Sequence, residues 1–334
     1  MPIPLLLGAA AVICTGVGVK KAIDAKYDND RAEEFNYEAE CIFDEAKESL
    51  EYERNKTQDI LVGLGKLKLE VWDQQLGRFI KTFEQIRNVK FEGQAMTGQL
   101  KNNHFTKDEL MKMKDISLKA GEVMASGATA LGAGALAGVA SYGGAMMFAT
   151  ASTGTAISAL SGVAATNATL AWFGGGSLAA GGLGIAGGTA VLGGIVAGPV
   201  LAVGGMILAA KAKENLANAR SNLAKAKRAV QEMNSAATLV RTIGTVAKEF
   251  QLVIKKLNMY MERSLDNLEE VVYLAGTDYA QYDVNQRKAV HIAVQFAQVM
   301  KMMLETPLLT REGALTDNYQ GALAEGRKLI ESAQ

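Results

Sequence analysis

The stretch AGGTAVLGGIVAGPVLAVGG, residues 186–205, decides the fold class that we expect for this chain. A small residue stands at every fourth position of a series that begins just before it: Gly182, Ala186, Ala190, Gly194, Gly198 and Ala202. Residues four apart lie on one face of an α-helix, so the stretch predicts a helix with a smooth stripe of glycine and alanine. Such stripes bring helix backbones close together in lipid, where the hydrophobic effect no longer drives association.

The stripe belongs to a long block without charge. Between Glu122 and Lys211 there is no Asp, Glu, Lys, Arg or His, and most of the 35 glycines fall in that interval. Its first and last parts are each long enough to cross a bilayer, for which about 20 residues suffice, and the Ser/Thr-rich part between them is a poorer third span or a re-entrant tip. Gly134 and Gly138 repeat the small-residue series in the first part.

Membrane insertion is the interpretation that this block favours, and three others stay open. A soluble helical core is disfavoured because glycine costs about 1 kcal/mol relative to alanine inside a helix. Disorder is disfavoured by the content of Leu, Ile, Val and Met, and a β-hairpin tongue before insertion is a further option. Pro199 would be tolerated as a kink in lipid, and Trp172 stands where an interfacial anchor is expected.

Both flanks of the block predict long amphipathic helices, over residues 22–89 and 209–274. The apolar positions of the first flank are Ile60, Leu64, Leu67 and Val71, then Trp72, Leu76, Phe79, Phe83 and Ile86. Those of the second are Leu216, Leu223, Val230 and Ala237, then Leu239, Ile243, Val246, Phe250, Val253 and Leu257. A helix of about 65 residues is on the order of 100 Å long and needs a partner helix. We therefore expect an all-α fold, an elongated bundle of long antiparallel helices with a central Gly/Ala-rich apolar hairpin block.

Shorter signals complete the organisation. Thr106 and Glu109 have the spacing of a capping box, which predicts a second helix that runs into the block. Turn formers over 275–286 precede an amphipathic helix that Pro307 closes, and a last helix is predicted over about 316–332. The predicted domains are an N-terminal apolar segment (1–21), a first helical part (22–122), the membrane-inserting block (123–210) and a second helical part with C-terminal helices (211–334).

The N-terminal segment is apolar for about 18 residues and is followed by Lys20 and Lys21, an order opposite to that of a secretory signal. It is a short membrane anchor, a core helix or an atypical signal. Cys14 and Cys41 are too few for a disulfide framework, which favours a reducing compartment.

The sequence gives no support to an enzyme. Gly182–Gly187 matches the spacing G-x-G-x-x-G, but no predicted strand precedes it and no acidic residue follows about 20 positions later. The two histidines, His104 and His291, lie on different predicted elements, so we predict no catalytic, cofactor-binding or metal site. Acidic and basic residues balance at 35 each, which argues against nucleic acid as a partner.

The order long helix, uncharged block, long helix resembles the helical pore-forming toxins of the cytolysin A and haemolysin BL type. The stretch from Thr166 to Gly205 also resembles a glycine-rich segment of bacterial proteins without an assigned activity. The first resemblance implies a hairpin that is masked in a soluble form and inserts into the bilayer as the protein oligomerises. The block is longer than the tongue of those toxins and no clear export signal precedes it, so the resemblance carries no expectation of secretion.

We therefore expect a membrane-inserting effector of bacterial defence or toxicity, made in the cytoplasm and associated with the membrane, the inner one in a bacterium. Its expected partners are a lipid bilayer and further copies of the chain, with a protein partner along the long helices as another option. The helix contacts would use Gly134, Gly138, Gly182, Gly194 and Gly198. The alternatives are a constitutive membrane scaffold or remodelling protein that the block only anchors, and a signalling adaptor.

Overall fold

The computed structural model describes residues 16–89, 106–125, 132–142, 216–310 and 314–334, and within this part of the chain the fold is all-α, as the sequence predicts. The helices are α1 (Gly16–Glu70), a π-helical turn (Val71–Leu76), α2 (Gly77–Phe83), α3 (Lys107–Ala125), α4 (Gly132–Tyr142), α5 (Leu216–Ala275), a 3₁₀ turn (Tyr279–Gln281), α6 (Val284–Glu305) and α7 (Tyr319–Ser332). The first predicted helix ends earlier than expected, at Phe83 rather than near Val89.

The described residues form two units. The first contains residues 16–50 of α1 and 216–235 of α5, and its core is made by Ala39, Leu223 and Ala226. Asn222 donates to Asn36 Oδ1 across the pair at 3.4 Å, and Lys227 Nζ lies 2.9 Å from Glu38 Oε1. The residue numbers of the contacting pairs increase along both helices, from 36 with 222 to 38 with 227, so α1 and α5 run parallel in this unit.

The second unit contains the described residues from 51 to 142 and from 236 onward. The hydroxyl of Thr57 donates to the carbonyl of Val240 at 3.1 Å, and Gln251 Nε2 donates to the carbonyl of Ile60 at 2.9 Å. The long helices are therefore parallel here too, and the prediction of long antiparallel helices is wrong on this point. The chain has to return between two parallel helices, and α3, which lies between α1 and α5 in the sequence, supplies part of that return.

The π-helical turn lies where the apolar pattern of the first flank slips by one residue. Val71 ends one series of three- and four-residue steps and Trp72 begins the next, and both side chains are buried. A π turn takes up one extra residue within a helix. The two series can therefore face the same core, which contains Leu64 before the turn and Phe79 after it.

The apolar pattern of α5 is borne out with one correction. Ile243, Val246, Phe250, Val253 and Leu257 are all buried in the main core, as predicted. The side chain of Leu239 is exposed instead. The residues that face inward on that turn are Ala236, Ala237, Val240 and Ile243. Leu239 lies at the edge of their face, about 100° around the helix from Val240.

The remaining helices pack around α5 and α2. Arg78 of α2 makes a forked contact with α5, with both bonds to Glu269 at 2.7 Å and one to Asp266 at 2.7 Å. The last helix, α7, comes close to α5 at Gly326, where an added Cβ would lie 2.7 Å from Val253 Cγ1. These contacts close the second unit around one apolar core.

Two connections have defined backbone geometry. After α2, Arg87 N donates to the carbonyl of Thr277 at 2.7 Å and Tyr279 N donates to the carbonyl of Arg87 at 3.1 Å, which joins the α2 end to the α5–α6 turn. Asn88 has a positive φ of 59°, and its amide donates to Asp278 Oδ1 at 2.9 Å. Asparagine tolerates this left-handed conformation better than most residues, so it suits this position just after the end of α2.

The predicted helix start at Thr106 is confirmed. Glu109 N donates to Thr106 Oγ1 at 3.2 Å, and Thr106 N donates to Glu109 Oε2 at 3.3 Å, the two bonds of a capping box. Lys114 then pairs with Glu84 at 2.8 Å, while Gly121 lies beside Asp73. Because these partners fall in number as α3 proceeds, α3 runs antiparallel to α2 and carries the chain back towards α1.

Candidate functional site: a helix of the apolar block over a buried lysine

Helix α4 is the described helix that lies wholly inside the charge-free block, and it is packed into the main core. Leu136, Ala137, Val139 and Ala140 are all buried there. The sequence of the helix, GAGALAGVASY, has no charged residue on any face, which is typical of a helix enclosed by protein or by lipid. At 11 residues it is about 16 Å long, roughly half of the 30 Å of a bilayer core.

The approach of α4 to α1 is possible because residue 65 is glycine. A Cβ built on Gly65 would collide with the carbonyl oxygen of Leu136 and lie 2.7 Å from its carbonyl carbon. Ordinary contacts of a Cβ are 3.4–4 Å long. The backbone of α4 therefore rests directly on the backbone of α1, the close approach for which small residues are used between helices.

Lys68 lies one turn further along α1 and is the largest charged side chain in the core, with 1% of its surface exposed. Its Nζ donates to the carbonyl of Ala140 at 3.2 Å and to the carbonyl of Thr306 at 3.3 Å. The ring of Phe250 lies 5.8 Å below the ammonium, within the range of a cation–π contact. Among the described residues no carboxylate lies within ion-pair distance of it.

The two carbonyls that accept hydrogen bonds from Lys68 belong to helix C-termini. Ala140 lies in the last turn of α4, and Thr306 is the C-cap of α6. The last four carbonyls of a helix have no partner within it, and the C-terminal end carries a partial negative charge. Lys68 therefore satisfies two helix ends at once, at the cost of a buried charge. That burial lowers the pKa of Lys68 to about 7.

The segment after α6 holds the same end of α4 through main-chain bonds. The amides of Leu308 and Leu309 both donate to the carbonyl of Ser141, at 2.6 and 3.0 Å. The hydroxyl of Ser141 is buried and makes no hydrogen bond with the described residues. The C-terminal end of α4 thus meets α1 on one side and the 306–309 segment on the other.

An acidic cluster lies at the end of α6 beside this contact. Lys301 Nζ lies 3.4 Å from Glu305 and 3.9 Å from Glu109 of α3. Burial raises the pKa of Glu305, and the nearby charge of Lys301 acts in the opposite direction. The cluster ties the first turn of α3 to the last turn of α6, next to Thr306.

His291 belongs to another contact. Its Nε2 and the hydroxyl of Tyr279 lie 2.9 Å apart, the ring of Tyr279 lies under the guanidinium of Arg287, and burial lowers the pKa of His291. The described residues contain no group of three or more side chains suited to a metal ion. The Tyr279–His291 contact joins the α5–α6 turn to α6.

The structure locates two of the predicted contact residues. Gly134 and Gly138 lie on α4, and Gly138 is buried. The other predicted positions lie outside the described residues: Trp172, Gly182, Gly194, Gly198 and Pro199. His104 lies outside them as well.

Sequence reasoning missed Gly65 and Lys68. A signal for Lys68 exists, since it lies four residues after Leu64 and therefore on the apolar face of α1.

Within the described residues, no helix combines the length and the apolar character needed to cross a membrane. No family model, curated protein or solved structure matches this chain. The features of the chain that bear on its function are therefore the placement of α4 and the sequence around it.

Proposed function

We propose that the protein is a membrane-inserting effector that oligomerises and perforates or depolarises a bilayer. The observation that carries this proposal is the docking of α4, a helix without charge that belongs to the Gly/Ala-rich block and is enclosed by the charged helices around it. Four of its apolar side chains, those of Leu136, Ala137, Val139 and Ala140, are covered by protein, as a soluble form of such a protein requires. The residues that follow it carry no charge up to Lys211.

The energetics of docking suit a segment that changes its surroundings. Burial of Leu136, Val139 and two alanines contributes on the order of 5 kcal/mol. A bilayer offers the same side chains an apolar environment of similar quality, so transfer forfeits little of that stabilisation. What α4 would lose are contacts of its main chain: the close approach to Gly65, the hydrogen bond from Lys68 and the bonds from the 306–309 segment.

The Gly/Ala stripes supply the next step of the proposal. Exposed to water, the block would form an apolar patch far above the few hundred Å² that a monomer tolerates, so release is followed by insertion and by contact between copies. Gly134, Gly138, Gly182, Gly194 and Gly198 would line those contacts. We place this activity at the inner membrane of the cell that makes the protein, in self-killing or antiviral defence.

The test is purification without detergent, a size measurement and dye release from liposomes on the same sample. We expect a soluble particle that releases dye. Gly194→Leu and Gly198→Leu should each express normally and lose release, whereas Gly321→Leu, on α7 with no atom within 4 Å of an added Cβ, should keep it. Full release by both block variants would contradict the close-packing step. Binding to liposomes without leakage would favour the scaffold.

A further inference from the structure

The amine of Lys68 is enclosed on one side by α4 itself. Ala140 supplies one of its two hydrogen-bond acceptors, and the 306–309 segment that supplies the other also holds the carbonyl of Ser141. When α4 leaves, the amine loses an acceptor and a covering wall, and water reaches it. Docking and enclosure of Lys68 are therefore one event.

We propose that Lys68 makes the docking of α4 dependent on protons: the docked arrangement is weakest when the amine is charged and strengthens as the amine loses its proton. The proposal names the release step of the proposed function and depends on that function for its biological meaning. The contact itself can be tested without a membrane.

The sign follows from the two environments of the amine. In water a lysine holds its proton up to about pH 10.4, whereas burial lowers the pKa of docked Lys68 to about 7. Between these values the undocked state binds more protons than the docked state. Docking therefore gains stability as the pH rises above 7, by up to about tenfold in its equilibrium constant per pH unit. Below pH 7 this gain is absent and α4 opens most readily.

Among the residues that the structure describes, the partners of Lys68 are Ala140, Thr306 and Phe250, and none of them ionises. Helix α4 has no Asp, Glu, Lys, Arg or His. The charged side chains nearest in sequence to the contact points on the other elements lie in ion pairs of their own: Lys66 with Glu70 on α1, Glu249 with Arg327 on α5 and α7, and Lys301 with Glu305 on α6. The pKa of Glu305 is raised, and the Lys68 variants below distinguish the effect of Lys68 from that of Glu305.

The experiment is hydrogen exchange of the amides of residues 132–142 between pH 6 and 9, corrected for intrinsic exchange. In the unaltered protein we expect the opening of α4 to fall by between 10- and 100-fold from pH 7 to pH 9. Lys68→Met removes the titrating group and should abolish that dependence. Lys68→Arg keeps its charge throughout and should also give a flat profile. A flat profile in the unaltered protein, or an unchanged slope in both variants, would overturn the proposal.

A second measurement needs no variant. The 13Cε resonance of Lys68 should titrate with a midpoint near 7, and a midpoint near 10 would refute the proposal even if both substitutions unfold the protein. Dye release from phosphatidylcholine vesicles, whose headgroup does not titrate in this range, separates the two ideas. A pH-dependent α4 without leakage at any pH would contradict the proposed function and leave the Lys68 switch standing. Leakage with a pH-independent α4 would support the proposed function and contradict the Lys68 switch.

Discussion

Replacement of Gly65 by alanine tests whether α4 is held by backbone contact. The new Cβ would lie 2.7 Å from the carbonyl carbon of Leu136 and closer still to its oxygen, so α4 has to move by on the order of 1 Å to restore an ordinary contact. Overpacking of this kind costs about 1–3 kcal/mol. The gain in helix propensity, about 1 kcal/mol, offsets part of that cost.

Gly63 offers a matched control on the same helix. A Cβ there would meet one atom within 4 Å, Gln251 Nε2 at 3.0 Å, the end of a side chain that can move. Gly63→Ala receives the same gain in propensity without the collision, so the two variants should differ by about 1–3 kcal/mol. Hydrogen exchange of residues 132–142 would show this as an opening 5- to 150-fold more frequent in Gly65→Ala. Equal protection of α4 in both variants would refute the backbone contact.

Two further predictions concern the framework around α4. Arg78→Ala should lower the free energy of unfolding by about 1 kcal/mol, since its fork to Glu269 is partly exposed, and Lys114→Ala by less than about 0.5 kcal/mol. Arg78 lowers the pKa of Glu269, so the stability from this ion pair is present above the ordinary pKa of a glutamate and is lost as the pH falls through the lowered value. Urea titrations at pH 7 and 3 would detect this loss. If Arg78→Ala lowers the free energy of unfolding equally at both pH values, the prediction is contradicted. Gly326→Ala should destabilise by about 1–3 kcal/mol through overpacking, while Gly321→Ala, which meets nothing within 4 Å, should stabilise slightly; thermal melts that rank them the other way would contradict the packing of α7.

The helical flanks could be predicted because their apolar positions recur at steps that only a helix satisfies. Trp72 and Phe79 on the first flank, and Phe250 and Leu257 on the second, are buried as that pattern requires. The direction of the long helices could not be predicted in the same way. Periodicity identifies the face that a helix buries and contains no information about which end of its partner lies beside it.

The candidate site was predicted in part. The absence of charge over residues 123–210 indicated that this block needs cover, and α4 lies under cover. Lys68 was missed because a lysine in a helix is ordinarily a solvated residue, and its enclosure depends on α4 and α6, which are distant in sequence. Gly65 was missed because its role depends on a single backbone approach.

The π-helical turn has a consequence for the length of the chain. If one residue were removed between Val71 and Leu76, the two apolar series would join into one with regular three- and four-residue steps, and a plain α-helix would present both to the same core. The turn thus accommodates a one-residue insertion that would rotate the following face by about 100° in a regular helix. Homologous chains one residue shorter at this point should keep the same core, whereas a single-residue gap elsewhere in α1 should not be tolerated.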